Sequence, residues 1–262
     1  MATLYVIGNG FDRWHDLPTS YCCFYDFAKD TLDEIEKYYS FSINQSAPWC
    51  DFENSLGRFN WEDFYHAHNN VDTTAEDFRP SFVYGLEDDL REQADQHVEA
   101  IRECFCEWIN GIDTSTADRL MAFPDNARFI TFNYTSTLQS IYGIAQEKIL
   151  HIHGRAEASD ELIFGHGETR EEEPDLDENG DSNRTIFSDA EGAALYPFYA
   201  LQKPVEEVLN RHKNFFDTLP DVTDIVVIGH SLNKIDLPYF RRIQDQTRSA
   251  RWTVCLHTPE EK

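Results

Sequence analysis

The chain has 262 residues, enough for one large domain or for a core domain with an inserted module. Its formal net charge of −26 opposes nonspecific binding to nucleic acids and to anionic membranes, because both are polyanions, but a local basic pocket for a nucleotide remains compatible with it. No apolar segment reaches the ~18 residues expected of a membrane span, and no signal peptide is visible, so we expect a cytoplasmic protein.

The cysteine pattern is neither a disulfide framework nor a zinc motif, since no C-x-x-C pair is present. We therefore expect reduced thiols. The six cysteines are Cys22, Cys23, Cys50, Cys104, Cys106 and Cys255.

The first apolar run ends in a glycine-rich turn, Gly8-Asn9-Gly10, followed by Asp12. Two glycines without Cβ atoms allow a ligand to approach the backbone, and a helix that begins near Asp12 would offer N–H groups to a phosphate. The third glycine of the usual dinucleotide fingerprint is absent, since Trp14 and His15 follow. A strand that ends in a glycine-rich turn without any ligand is the alternative.

Further short apolar runs predict buried parallel strands, and stripes of apolar residues predict helices between them. The predicted strands are Thr3–Ile7, Arg128–Phe132, Ile149–Ile152, Leu162–Phe164, Asp224–Ile228 and Trp252–Leu256. The predicted helices are Tyr21–Tyr39, with Phe24, Phe27, Leu32 and Ile35 inward, Trp49–His68, Thr73–Ile109, with Phe82 and Leu86 in its stripe, Ser136–Tyr142, Ala193–Leu219 and Leu237–Thr247. An acidic loop is expected over Arg170–Ser188.

These elements predict an α/β, Rossmann-like fold with a mostly parallel sheet flanked by helices and a large helical insertion after the first strand. We expect residues 1–19 and 111–262 to form the nucleotide-binding core and residues 20–110 to form the insertion.

Polar and small residues follow most of the predicted strands, where ligands sit in open α/β sheets. A hydrophobic core needs none of these types there, so a ligand cleft explains the pattern. They are Gly8, Asn9, Gly10, Asp12, Thr131, Asn133, His151, His153, Gly154, His166, Gly229, His230 and Ser231.

The same residues carry a resemblance to a known family. Gly8-Asn9-Gly10-Phe11-Asp12 and Leu17-Pro18-Thr19-Ser20-Tyr21 resemble the opening motif of the AbiH bacteriophage abortive-infection family. The match continues through Trp49, Asp51, Glu53, Phe132-Asn133-Tyr134-Thr135, His151-Ile152-His153-Gly154 and Gly229-His230-Ser231-Leu232. The resemblance covers nearly the whole chain and implies a role in defence against phage.

More remotely, the motifs resemble the sirtuin-like NAD-binding fold. That resemblance implies that Asn133 and His153 are catalytic, and that Thr131, Gly154 and Ser231 belong to the nucleotide site. Thr135 stands where the sirtuin motif has an aspartate, and the four-cysteine zinc module is missing. Sirtuin-like defence domains without this module resemble NAD hydrolases, so the resemblance implies NAD+ as a substrate or ligand, with no cofactor required.

The chemistry is consistent with such a reaction, because the cationic nicotinamide of NAD+ leaves without a general acid. Asn133 can hydrogen bond a ribose hydroxyl and the attacking water. His153 near its reference pKa of about 6.5 can accept the proton. Gly8, Asn9, Gly10, Asp12, Gly229, His230 and Ser231 complete the predicted nucleotide site, and no metal ligands are assigned.

Two other functions remain open. One is a non-catalytic nucleotide sensor, favoured by Thr135 in place of the motif aspartate. The other is a metal-dependent phosphoesterase or nuclease that uses His151, His153, His166, Asp51 and Glu53. The expected partners are a small nucleotide, an unknown phage trigger or partner protein and a second copy of the chain, without direct nucleic-acid or membrane binding.

Several of these residues also have structural interpretations. Asp12, Ser231 and Asp236 are candidate helix caps. We expect a structural role for Trp49, whereas Asp51 and Glu53 either close over the cleft or hold the insertion together.

Overall fold

The computed structural model describes residues 2–42, 45–171, 174 and 176–255, which group into two compact units. The first unit contains residues 1–27, 105–164 and 203–262, and the second contains residues 28–104 and 165–202. The domain boundaries expected from the sequence remain a prediction.

The first unit is built on a five-stranded sheet in which every neighbouring pair of strands is parallel. Its strands are β1 (Ala2–Ile7), β2 (Ala127–Thr131), β3 (Ile149–His151), β4 (Val222–Ile228) and β5 (Arg251–Cys255). The order β3-β2-β1-β4-β5 is that of a doubly wound nucleotide-binding sheet, with the switch point between β1 and β4. The predicted α/β Rossmann-like class is confirmed.

Helices cover the connections between the strands. They are α1 (Asn9–Trp14), α2 (Tyr21–Phe27), α3 (Lys29–Ile35), α4 (Phe52–Leu56), α5 (Trp61–His68), α6 (Ser81–Asn110), α7 (Thr137–Ser140), α8 (Ser188–Ala200), α9 (Val205–Arg211), α10 (Lys213–Phe216) and α11 (Leu237–Gln246). The large helical segment expected after the first strand is present as α2 to α6.

The sheet is apolar on both faces because both are covered. Alternate residues of β1 enter two separate cores: Leu4 and Val6 pack with residues of α9 to α11, and Tyr5 and Ile7 pack with residues of α1 and α7. This is the pattern expected of a parallel sheet with helices on both sides.

The second unit has its own aromatic core. His97 of α6 lies among Tyr39, Phe59 and Phe64 with ring centroids 5.3 to 5.8 Å apart, and its Nε2 lies 2.9 Å from the Tyr39 hydroxyl. Trp49 is buried beside Tyr39 at a centroid distance of 4.9 Å.

Several sequence predictions are wrong in detail. Leu162–Phe164 forms no strand; its Ile163 N–H donates to the His153 carbonyl in a turn. Phe27 and Phe82 are 54% and 46% exposed instead of inward, because each lies in a terminal turn of its helix. The predicted helix Ala193–Leu219 is divided into α8, α9 and α10, Tyr21–Tyr39 into α2 and α3, and Trp49–His68 into α4 and α5. The helix predicted over Thr73–Ile109 begins at Ser81.

Other predictions touch residues outside the described part of the chain. Leu256, the predicted last residue of the final strand, is one of them. So are residues 172, 173 and 175 of the predicted acidic loop, whose described part pairs Leu176 with Ser182 in an isolated antiparallel bridge.

The expectation of six reduced thiols is also corrected. Cys22 and Cys50 are disulfide-bonded, whereas the thiols of Cys23, Cys104 and Cys255 are free. Within the described residues, no helix is both long and apolar enough to cross a membrane.

Candidate functional site

The glycine turn after β1 is packed against the turn after β4. A Cβ added at Gly8 would lie 2.5 Å from the His230 Cα, and one added at Gly10 would lie 2.8 Å from the Gly229 Cα. The Gly8 N–H donates to the Ile228 carbonyl at 2.9 Å, and the Gly10 N–H donates to the Gly229 carbonyl at 2.7 Å. The close approach that these glycines permit is therefore used by the protein's own backbone.

Two other predicted glycines are also required by the backbone. Gly229 has a φ of +65°, and a Cβ there would lie 2.2 Å from the Phe11 nitrogen. Gly154 has a φ of +83°, and a Cβ there would lie 2.3 Å from the Glu161 carbonyl oxygen. Both positions favour glycine because of their conformation and their space.

Two polar residues of the predicted site support the turns around it. The Asn9 amide donates to the Thr19 carbonyl at 2.6 Å, and the Thr131 hydroxyl accepts the Asn133 backbone N–H at 3.1 Å. Ser231 lies exposed after β4 and does not cap the following helical turn, whose N-cap is Asn233.

Asp12 is a buried carboxylate inside α1, and the N-cap of that helix is Gly8. Its side chain accepts a hydrogen bond from the Thr135 hydroxyl, which lies 3.0 Å from the Thr137 hydroxyl. Its other oxygen, Oδ1, has no hydrogen-bond partner among the described residues. Burial raises the pKa of Asp12, and the polar side chains of Thr135, Thr137 and Asn133 nearby oppose that shift.

Further unpartnered polar atoms follow the first three strands. Within the described chain, these buried atoms without a hydrogen-bond partner are Asp12 Oδ1, Thr19 Oγ1, Asn133 Oδ1, Ser136 Oγ, Gln139 Oε1, His153 Nε2 and Arg155 Nε. Buried polar groups are normally satisfied, so such a group of atoms indicates a place for a polar ligand. Among the predicted residues, Asp12, Asn133 and His153 each keep a buried side-chain atom without a hydrogen-bond partner in the described chain.

His151 is fully engaged with the protein. Its Nδ1 lies 3.2 Å from the Asn133 carbonyl, to which it donates, and its Nε2 accepts from the Gln139 amide at 2.9 Å. Burial lowers its pKa to about 4, so the ring is neutral near pH 7. We assign His151 the role of holding the Asn133 backbone.

His153 belongs to a buried cluster with Lys203, His230 and Asp236. Asp236 Oδ1 lies 3.3 Å from Lys203 Nζ and 3.9 Å from His153 Nε2, and its Oδ2 lies 3.7 Å from His230 Nε2. The Lys203 side chain is only 1% exposed. Asp236 precedes α11 but makes no side-chain cap, so its carboxylate serves this cluster instead.

The expectation that His153 titrates near its reference value is wrong. Its pKa is well below 6.5, first because the ring is buried and second because Lys203 lies nearby. The same two causes, opposed by Asp236, lower the pKa of His230 to about 4. His153 is therefore a neutral, weakly basic acceptor at pH 7.

The hydrogen bonds of His166 and His151 count against the metal-dependent alternative, because they occupy the ring nitrogens that would bind a metal ion. His166 Nε2 donates to the Phe198 carbonyl at 2.8 Å, and its Nδ1 accepts the Glu168 N–H at 3.2 Å. Neither His166 nor His151 retains a free ring nitrogen, and no group of three metal-ligating side chains occurs in the part of the chain that the structure describes.

The remaining predicted residues lie in the second unit. The Trp49 indole donates to Glu36 at 3.2 Å, Asp51 is exposed and accepts from the Asn54 amide at 2.9 Å, and Glu53 is buried. Closure of Asp51 and Glu53 over the cleft remains a prediction.

Two grooves of about 360 Å³ each are lined by other residues. One is apolar and lies between α11 and β5, where Phe240 and Trp252 contribute to its lining. The other lies in the second unit, where Arg58 and Trp61 contribute to its lining. Neither groove is formed by the residues with unpartnered atoms.

Sequence reasoning missed Ser136, Arg155 and Lys203 as members of the site. Ser136 and Arg155 directly follow quoted motif residues, so an extension of each motif by one residue would have included them. Lys203 carries no local signal, because it lies 50 residues after His153 and only the fold brings it to Asp236.

The family comparison agrees with this arrangement of motifs. The family model described as Bacteriophage abortive infection AbiH matches residues 4–256, which covers β1 from Leu4 onward and all of β2 to β5. No curated protein and no solved structure gives a significant match to the chain. The chain therefore belongs to the bacteriophage abortive infection AbiH family.

Proposed function

We propose that this protein acts in abortive infection by hydrolysing the N-glycosidic bond of NAD+ or a related nucleotide. Family membership supports the anti-phage role. The hydrolytic activity is our proposal, and it rests on one observation: buried acceptor atoms without partners lie beyond β1 and β2. We further propose a cytoplasmic location, a phage-derived trigger or partner protein and homo-oligomerisation.

The unpartnered acceptors fit a ribose. Asp12 Oδ1 and Asn133 Oδ1 need donors, and the two hydroxyls of a ribose supply them. The network around Asp12, which includes the Thr135 hydroxyl, holds the carboxylate in place before a substrate arrives. A fixed negative charge beside the ribose stabilises the positive charge that develops on the sugar ring in the transition state.

The proposed reaction is a single displacement by water. The C1′–N bond breaks, its electron pair leaves with neutral nicotinamide, and the water oxygen bonds to C1′. His153 Nε2, which has no hydrogen-bond partner among the described residues, accepts the proton that this water loses. The products are nicotinamide, ADP-ribose and one proton, which His153 releases readily because its pKa is low.

The unpartnered atoms are buried, so a substrate reaches them only when this edge of the sheet opens. An enzyme that consumes NAD+ continuously would kill its host, and a closed resting state is consistent with control by a trigger. Activity is therefore best measured both with and without material from infected cells.

The test is to incubate the purified chain with NAD+ at neutral pH and to follow nicotinamide and ADP-ribose. We expect His153→Ala and Asp12→Asn to reduce turnover by about 100-fold or more, the scale of a lost proton acceptor or charge. His66→Ala, an exposed residue of α5, serves as a control. Equal turnover by wild type and His153→Ala, with lysate present, would refute the proposal.

The environment of His153 also supports a second candidate, a nucleotide sensor without catalysis. A fully buried ring with a strongly lowered pKa is a poor proton acceptor. Calorimetry separates the two functions: saturable binding of NAD+ with no product after prolonged incubation supports the sensor and excludes the hydrolase.

A further inference from the structure

We propose that Arg155 binds a phosphate of the ligand, and that the cleft therefore recognises a ribose phosphate. This inference rests on the proposed function, because it concerns the same cleft. It also assigns the phosphate contact to a residue other than those in the glycine turn.

The two glycines of the turn after β1 offer no N–H group to a phosphate. The N–H groups of Gly8 and Gly10 already donate to carbonyls of the β4 turn, and the space beside both glycines is filled by that turn. The following helix α1 has only six residues, too few for a strong helix dipole. An anion in this cleft therefore needs a different partner.

Arg155 has the properties of that partner. It follows His153-Gly154 directly, and its Nε is buried without a hydrogen-bond acceptor among the described residues. Asp160 accepts the backbone N–H of Arg155 at 3.1 Å, so it binds the main chain and not the guanidinium. A buried guanidinium nitrogen without an acceptor is costly, and a phosphate oxygen would satisfy it.

Local contacts place the backbone of Arg155 near the segment that carries Asn133. The Ala156 N–H donates to the Tyr134 carbonyl at 3.0 Å, so the segment that carries Arg155 runs along the segment that carries Asn133. The charge of Arg155 is also close enough to lower the pKa of His151, whose ring donates to the Asn133 carbonyl.

The polarity of the unpartnered atoms defines the ligand. Asp12 Oδ1 and Asn133 Oδ1 accept only, whereas Arg155 Nε donates only. The complementary molecule carries neighbouring hydroxyl donors and an anionic acceptor, which is the chemistry of a ribose phosphate. The chain has a net charge of −26, which repels an anionic ligand, and the positive charge of Arg155 attracts such a ligand locally.

The experiment measures binding, so it does not depend on turnover. Calorimetry with the full chain would compare ADP-ribose, which carries phosphates, with nicotinamide riboside, which carries none. We expect Arg155→Met to weaken ADP-ribose binding about 10- to 100-fold, the range of one charge-assisted hydrogen bond, and to change riboside binding less than about 3-fold. Arg155→Lys should restore part of the loss.

Arg241→Met is the matched control, since it removes the same charge from the groove between α11 and β5. Circular dichroism confirms that each variant is folded. Equal ADP-ribose affinity in Arg155→Met and wild type, an equal loss in Arg241→Met, or no ADP-ribose binding by wild type would overturn the inference. Arg155-dependent binding without NAD+ hydrolysis would support it and refute only the hydrolase.

Discussion

Asp12 is the residue where fold and function are in conflict. Its side chain lies in a position that is 1% exposed, and one of its oxygens has no partner among the described residues. Burial of a carboxylate is unfavourable, and the hydroxyl of Thr135 offsets only part of that cost. A residue of this kind weakens the folded state, which agrees with the binding role that we propose for it.

The corresponding prediction is that Asp12→Asn stabilises the protein while it abolishes ligand binding. The amide has the same shape and no charge, so we expect the free energy of unfolding at pH 7 to rise by about 1–2 kcal/mol. Urea denaturation and calorimetry with ADP-ribose measure the two effects.

Asp12→Ala is the companion variant, because it leaves the hydroxyl of Thr135 without its acceptor. We expect the free energy of unfolding of this variant to be about 1–3 kcal/mol lower than that of wild type. If Asp12→Asn were also destabilising by that amount, the carboxylate would be a structural group and its role in the cleft would be rejected.

At the level of elements, the turns after β1 and β4 form one contact. Gly229→Ala places a Cβ 2.2 Å from the Phe11 nitrogen at a φ of +65°, so backbone atoms must move. We expect a loss of about 3 kcal/mol or more in the free energy of unfolding. Denaturant titration, or the soluble yield if folding fails, measures it.

Gly85→Ala is the matched control in the interior of α6, where a Cβ would meet nothing within 4 Å. For this variant we expect the free energy of unfolding to rise by about 0.5–1 kcal/mol, since alanine favours a helix more than glycine does. A Gly229→Ala variant as stable as wild type would show that the two turns are not in close contact.

Strand positions were predictable because buried parallel strands are continuous apolar runs. Five of the six predicted strands are present within one or two residues, but Leu162–Phe164 is not a strand. Its Ile163 and Phe164 are buried, and Ile163 bonds to a turn and to the Tyr134 hydroxyl instead of a ladder. Apolar character predicts burial, whereas strand pairing depends on a partner far away in the chain.

The direction of polar side chains was the part that sequence could not supply. Asp236 precedes a helix, which suggested a cap, yet its carboxylate faces Lys203 and His153. The glycines after β1 suggested a phosphate cradle, yet a turn more than 200 residues later fills that space. In both cases a contact with residues far away in the chain determined the role of the residue, and the neighbouring sequence did not reveal it.

At the scale of the whole molecule, buried histidines make the fold sensitive to acid. Burial lowers the pKa of His97, His151 and His230 to about 4 each. The unfolded chain binds these protons near pH 6.5, so between pH 6.5 and 4 it holds more protons than the folded chain. Stability therefore falls as the pH falls through that window, by up to about 3 kcal/mol for each ring.

His97→Gln tests this sign at one ring. The amide retains a polar group near the Tyr39 hydroxyl but does not titrate. We expect the variant to be less stable than wild type at pH 7, yet to lose about 1.4 kcal/mol less per pH unit between pH 6 and 4.5. Urea titrations across this range give the slope, and an unchanged slope would contradict the assignment.

The strand order also fixes when the sheet can be completed during synthesis. The central strand β1 pairs with β2 and with β4, which begins at Val222. At about 5–20 residues per second, Val222 leaves the ribosome roughly 10–40 s after Ile7. During that interval β1 has a free edge, and the contact between the turns of Gly8 and Gly229 does not exist. A chain interrupted before β4 therefore never forms the contact between the two turns, and the nucleotide site that we propose beside them stays incomplete.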